Sequence, residues 1–256
     1  MKIHILGAHN CESQDSKFVT LLIDDVLAID AGGLTASLSF SAQQKLMAIL
    51  LTHQHSDRVK DIPVIGMNLF LRDSTIDIYS TQAVYDMLTT HLLNDKLYPN
   101  FLKQPEEKPT FRFNLIKPDK PEQIKDYGIL AVAVNHSAPT VGYQITVADG
   151  KAVFHTGDTG PGLSKCWEQV SPQLLIIEVT APNEYEQWAV QSGHLTPGLL
   201  KRELISFRKL KGYLPPVITV HMNPKLEKEI ENEVTAVAGD LGSPINLAYE
   251  GMQLDL

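Results

Sequence analysis

The chain has 256 residues, with 22 Lys+Arg against 30 Asp+Glu, 9 His and 2 Cys. A hydrophobic fraction of 43% with 20% charged residues excludes a disordered or fibrous chain, and a net charge of −8 argues against a broad electrostatic grip on nucleic acid. Cys11 and Cys166 are too few for a disulfide framework or a four-thiolate zinc site, and are expected as reduced thiols.

Short apolar runs bounded by Gly, Asp, Asn or Ser open the chain: Ile3–Leu6, Phe18–Ile23, Val26–Ile29 and Leu46–Leu51. Such runs predict strands, and Asp24-Asp25 predicts a tight hairpin between the second and third. The first run is short and broken by Gly7, so it reads as a strand rather than a signal peptide. No run approaches about 18 uninterrupted apolar residues, so no membrane span is expected and the protein is expected in the cytoplasm.

Apolar residues recur at helical spacing in Val59–Leu71 (Ile62, Ile65, Leu69) and in Thr81–Leu93 (Val84, Leu88, Leu92). Pro99, Pro105, Pro109, Pro118 and Pro121 then predict an irregular excursion around 94–121, with a strand at Phe111–Ile116. A flap is preferred to an interdomain linker, because the motifs on its two sides need each other. Ile129–Val134, Val141–Val147 and Ala152–Phe154 read as strands, with a hairpin turn at Asp149-Gly150. Leu174–Glu178 and Val217–Val220 read as further buried strands. Thr196–Lys209 predicts a helix capped by Thr196 with Pro197 at its first position. Pro224–Val237 predicts another, with a stripe at Leu226, Ile230, Val234 and Val237. Two strand-rich halves carrying helices predict an α/β (α+β) class, sheets face to face with helices outside, in one domain over 1–256.

The most informative stretch is Ile49-Leu50-Leu51-Thr52-His53-Gln54-His55-Ser56-Asp57-Arg58. Alternate residues of extended chain point the same way, so His53 and His55 can meet one ion with Asp57 alongside. Imidazole and carboxylate suit zinc, iron or manganese. Histidines merely ending a strand in polar surroundings are the competing reading, but the triplet at a strand exit favours metal. His136, Asp158 in Thr156-Gly157-Asp158-Thr159-Gly160, and His221 also follow predicted strands, where a rigid scaffold positions site residues. Each alone reads equally as a core histidine or a turn aspartate. His91 and His155 read as structural. Trp167, Trp188 and Tyr185 fit either a pocket wall or the core, and Asn183–Ser192 reads as a mobile segment at the site mouth.

Ile29-Asp30-Ala31-Gly32, His53-x-His55-x-Asp57, His136, Gly157-Asp158 and His221 together resemble the metallo-β-lactamase superfamily, in its order. The resemblance runs from Ile5-Leu6-Gly7 to Glu250-Gly251-Met252. It implies a four-layer αββα sandwich with a metal site along one edge between the sheets. His136-Ser137-Ala138-Pro139-Thr140-Val141-Gly142-Tyr143, Ser192-Gly193-His194-Leu195-Thr196-Pro197 and His221-Met222-Asn223-Pro224 are similar to its phosphodiesterase branch. That branch holds tRNA 3′-processing nucleases and class II cyclic-nucleotide phosphodiesterases. The resemblance implies a first divalent ion, zinc before manganese or iron, on His53, His55, His136 and Asp158. It implies a second on Asp57, residue 58, Asp158 and His221, a role for His194 in phosphoester cleavage, and a homodimer.

Residue 58 departs from the family's histidine. Arg58 stays protonated and has no lone pair to give. The second ion is then weakly held, or replaced by the charge of Arg58, or bound through a substitute donor, His9 before His4. The expected form has one ion with Arg58 near the second position, and His9 structural or facing substrate. The expected function is a metal-dependent hydrolase of a small phosphodiester such as a cyclic nucleotide, using metal-bound hydroxide. Asp57 would orient the hydroxide, Arg58 would stabilise developing charge, and His194 would protonate the leaving oxygen. An ester, lactone or thioester hydrolase is one alternative; a degenerate metal- or ligand-binding protein, suggested by Arg58, is the other. The acidic chain lacks a basic RNA-gripping arm, so the expected partner is a small-molecule substrate rather than nucleic acid or a membrane.

Overall fold

In β1 (Lys2–Gly7), β2 (Thr20–Ile23), β3 (Leu27–Ile29) and β4 (Ala48–Leu50), alternate residues divide between two apolar clusters. Ile3, Ile5, Leu21, Ile23, Leu27 and Leu50 enter one, while Leu22, Ala28 and Ile49 enter the other. Period-two burial on both faces is what a sheet sandwiched between two layers requires. In the computed structural model, which describes residues 1–70 and 74–256, β5 (Ile76–Ser80) and β6 (Phe111–Leu115) extend this sheet. The second sheet holds β7 (Pro121–Ile124), β8 (Tyr127–Ala133), β9 (Val141–Thr146), β10 (Ala152–His155), β11 (Leu174–Glu178), β12 (Val217–Val220) and β13 (Ile245–Leu247). β14 (Met252–Asp255) returns to pair with β1. The strand orders are β14-β1-β2-β3-β4-β5-β6 and β13-β12-β11-β10-β9-β8-β7.

Ile129, Tyr143, Ile145 and Val153 of the second sheet join the cluster fed by Ile3 and Leu21, so the sheets face each other across it. Ile62, Ile65, Leu69 and Phe101 close the outer face of the first sheet. The helices Pro197–Lys211 and Glu227–Leu241 cover the second with Leu200, Leu204, Phe207, Ile230 and Val234. The result is the αββα sandwich.

Asp24 and Asp25 take φ of 48° and 61°, as the central pair of a tight turn that Val26 N closes on Ile23 O at 3.0 Å between β2 and β3. Thr196 accepts from Leu199 N, as an N-cap does. The predicted helix Val59–Leu71 divides into Ser56–Val59 and Ile62–Leu69. Pro63 explains the break, because its ring excludes a continuous helical turn over Val59; Leu71 lies outside the described residues. The last predicted helix starts at Glu227 rather than Pro224, since Asn223 first holds Lys225 N and Leu226 N in a turn. Within the proline-rich excursion, Phe101 is fully buried and packs edge-on against Phe70 and Phe111. Cys11 is exposed and Cys166 buried, both as free thiols. Among the described residues no helix is long and apolar enough to cross a membrane.

His155, at the end of β10, is buried, and among the described residues neither ring nitrogen has a hydrogen-bond partner in good geometry. Burial, reinforced by the Arg58 charge, pushes its pKa down from 6.5 to about 3. His155→Leu is therefore expected to raise stability by about 1–2 kcal/mol, because it removes unsatisfied polar atoms. It should also flatten the pH profile. In the wild type the unfolded chain takes up a proton below pH 6.5 that the folded chain refuses until about 3, so stability falls as pH drops through that window. Urea midpoints at pH 5 and 8 check both effects; an equal or lower midpoint for the variant at both values contradicts the account.

Candidate metal centre

Strand ends bring the candidate residues to one edge between the sheets. β3 runs into Asp30, which has φ of 61°. β4 runs into Thr52 and His53, and Thr52 O accepts from Val141 N at the start of β9, 3.1 Å away. His136 follows β8, Asp158 follows β10, and His221 follows β12 with φ of 67°. Gly32 lets the Asp30 turn close on the next element: a Cβ there would overlap the Asp57 carbonyl oxygen, and Ala31 N donates to Arg58 O at 2.7 Å.

His53, His55, His136 and Asp158 each present one donor atom, all within 4.8 Å of one another. His55 Nδ1 lies 3.0 Å from His53 Nε2 and 3.3 Å from His136 Nε2. Asp158 Oδ2 lies 3.5 Å from His53 Nε2. A tetrahedral zinc ion with bonds of about 2.0–2.1 Å sets its ligands roughly 3.3–3.4 Å apart, so the spacing and the three-nitrogen, one-oxygen chemistry fit such an ion.

Buried partners fix which nitrogen faces inward. Thr52 Oγ1 donates to Asp30 at 3.0 Å and so accepts from His53 Nδ1, also at 3.0 Å, leaving the Nε2 lone pair free. His136 Nδ1 donates to Gly193 O at 2.8 Å with the same result. A second relay mirrors the first. Thr180 Oγ1 donates to Glu178 at 2.7 Å and accepts from His221 Nδ1 at 2.8 Å. Glu178 also accepts from His194 Nδ1 at 2.6 Å. Outer partners of this kind orient metal-binding imidazoles.

Burial lowers His53 to about 3 against the pull of Asp158, and lowers His136, which favours neutral rings. Burial also works against protonated His194, but Glu178 outweighs it and lifts that group to about 9. For Asp57 and Asp158 burial alone would raise the pKa; the Arg58 guanidinium reverses this and holds both below the usual carboxylate range. Burial pushes Asp30 up to about 7 despite Arg58.

The other candidates take definite places. Arg58 is 1% exposed, donates to Asp158 and Val19 O, and faces Asp57 and Asp30. Its guanidinium therefore faces the carboxylates of the centre. His9 is no substitute donor: its Nδ1 lies 2.6 Å from Glu250 and its Nε2 3.3 Å from Glu227. His4, on β1, is paired in register with Gln253 and Leu22 and stands apart from the donor groups. Asn183–Ser192 is a 3-10 turn followed by the helix Glu186–Ser192. Trp188 on that helix stacks on His194 at 5.9 Å, whereas Trp167 is core. Glu178, Thr180 and Thr52 were missed as site residues; a glutamate ending the apolar run Leu174–Ile177 was the available signal.

A profile described as the beta-lactamase superfamily domain matches residues 21–222. The chain belongs to the beta-lactamase superfamily. A comparison with curated proteins finds no match. Among solved structures, unliganded yeast PDE1 superposes with a TM-score of 0.85 at 16% identity, over 100% of this chain and 99% of that one. The metallo-beta-lactamase fold protein YhfI from Bacillus subtilis gives 0.74 at 19%, over 99% of each chain. The short form of human tRNase Z gives 0.69 at 18%, over 100% and 99%. These likenesses carry the metallo-β-lactamase fold, whose superfamily is largely one of metal-dependent hydrolases.

Proposed function

We propose that the chain, acting as one unit over 1–256, is a metal-dependent hydrolase of small phosphodiesters such as a cyclic nucleotide. The observation that carries this reading is the convergence of His53 Nε2, His55 Nδ1, His136 Nε2 and Asp158 Oδ2. Those four atoms would hold the ion, with zinc favoured by the donor set and manganese or iron as alternatives. Bound there, a divalent cation polarises a phosphoryl oxygen and makes hydroxide available near neutral pH.

The chain's own groups do the rest. Asp57, with Oδ2 3.6 Å from His221 Nε2 and kept ionised by Arg58, accepts a hydrogen bond from the attacking water and orients it. His194, held by Glu178 through Nδ1, keeps Nε2 for the leaving oxygen. A cavity of about 310 Å³ beside it is lined by Trp188, Tyr185, Leu226, Asn10 and Asn223 among others. Its size favours the organic part of a small substrate. A larger cavity of about 620 Å³ lies at Tyr85, Phe111 and Arg112 and contains no candidate site residue. The reading places the protein in the cytoplasm, as the short apolar runs suggest, and takes it as a homodimer on the resemblance alone.

The test assays bis(p-nitrophenyl) phosphate, cyclic nucleotides and a lactone panel, each with zinc, manganese and iron. Phosphodiester turnover in at least one metal is the expected result. Turnover of lactones alone would replace the proposal with acyl hydrolysis, and silence with every metal would favour a binding protein.

A further inference from the structure

Two donor groups share Asp158: His53, His55 and His136 on one side, His194 and His221 on the other. The shared carboxylate divides its oxygens. Oδ2 sits 3.5 Å from both His53 Nε2 and His221 Nε2, whereas Oδ1 accepts from Arg58 Nη2. Arg58 Nε lies 3.3 Å from Asp57 Oδ2, the same oxygen that stands 3.6 Å from His221 Nε2. The two carboxylates that an ion beside His221 would need are therefore already paired with one guanidinium. His194 pairs with Glu178 through Nδ1 at 2.6 Å, so only its Nε2 is left on that side, the atom assigned to the leaving oxygen.

Arg58 cannot yield the position easily. It is 1% exposed, its Nη1 reaches Val19 O at 3.4 Å, and Asp30 stands 3.8 Å from Nε. A guanidinium neither loses its proton in the working pH range nor donates a lone pair. It would repel a dication held by the same oxygens, and low-dielectric surroundings strengthen that repulsion. We infer that Arg58 is a built-in cation for the second half of the centre. The chain then holds one ion, on His53, His55, His136 and Asp158, and none among Asp57, Asp158 and His221. The inference rests on the metal-hydrolase reading but fails separately from it.

The test counts ions per folded chain, by elemental analysis and native mass spectrometry after zinc or manganese loading. It compares the wild type with His53→Ala, His221→Ala and Arg58→His. One ion is expected in the wild type, lost in His53→Ala, retained in His221→Ala, and joined by a second in Arg58→His. Two ions in the wild type would overturn the inference and leave the hydrolase reading intact. So would a single ion that survives His53→Ala but leaves with His221→Ala, or a folded Arg58→His that still holds one. No bound ion at all would overturn both. If Arg58→His does not fold, the wild type and the two histidine variants still decide.

Discussion

Asp158→Ala is expected to cut turnover by roughly 10³-fold or more and to lower the stability of the ion-free protein by about 3–5 kcal/mol. The two losses have different causes. Turnover falls because Asp158 Oδ2 is the single oxygen of the four-atom donor set. Stability falls because Asp158 Oδ1 is the hydrogen-bonded carboxylate partner of the buried Arg58. Truncation leaves Arg58 with Asp57 at 3.3 Å and Asp30 at 3.8 Å, contacts that do not replace the lost bond. Asp158 is held below its ordinary pKa of 3.8 when folded, so its contribution is present above that value and is lost as pH falls. The stability gap between wild type and variant should therefore narrow on acidification. Denaturant titrations at pH 7 and 2.5, beside turnover with saturating metal, measure both effects. Full activity in the variant would sink the scheme.

Glu178→Gln is the second large effect. The carboxylate accepts from Thr159 N at 2.9 Å, Leu195 N at 3.2 Å, Thr180 Oγ1 at 2.7 Å and His194 Nδ1 at 2.6 Å. An amide turns an NH2 group toward one pair of these donors, whichever way it is rotated, so a buried clash and an unsatisfied donor follow. The expected loss is about 2–4 kcal/mol in the ion-free protein, for the missing charged hydrogen bonds and the stranded donor together. His194 should titrate lower than its wild-type value of about 9, because burial is then opposed chiefly by Asp158. The sign of the pH effect follows. A histidine raised from 6.5 to about 9 by folding adds stability that is complete below 6.5 and vanishes as pH rises through about 9. The variant should thus lose most relative to wild type near pH 6 and less near pH 9. NMR titration of His194 in the metal-free protein checks the shift, and an unchanged value would contradict the relay.

The strand ends were the legible part of this chain. Leu174–Glu178 and Val217–Val220 have the predicted bounds, because an apolar run buried on both faces leaves no ambiguity about where it stops. His53, His55, His136, Asp158 and His221 sit just beyond such runs, so their convergence followed from the fold that the motifs resemble. The relays through Thr52 and Thr180 were not legible. A threonine ending a strand looks the same whether it holds an imidazole or merely a turn, and each relay also needs a partner distant in sequence, Asp30 for Thr52 and His221 for Thr180. Glu178 and His194 are 16 positions apart. The edge strands β7 and β14 were missed for a different reason: their burial is partial and β7 opens on Pro121, so the apolar signal is weak. Arg58 was visible as a departure, but only its burial shows that it faces carboxylates rather than solvent.

The most direct measurement is a crystal grown with zinc, with an anomalous difference map recorded at the zinc edge. The account predicts one peak, within about 2.0–2.2 Å of His53 Nε2, His55 Nδ1, His136 Nε2 and an Asp158 oxygen. A map without a peak among those four atoms, from protein that is active in the same metal, would contradict it.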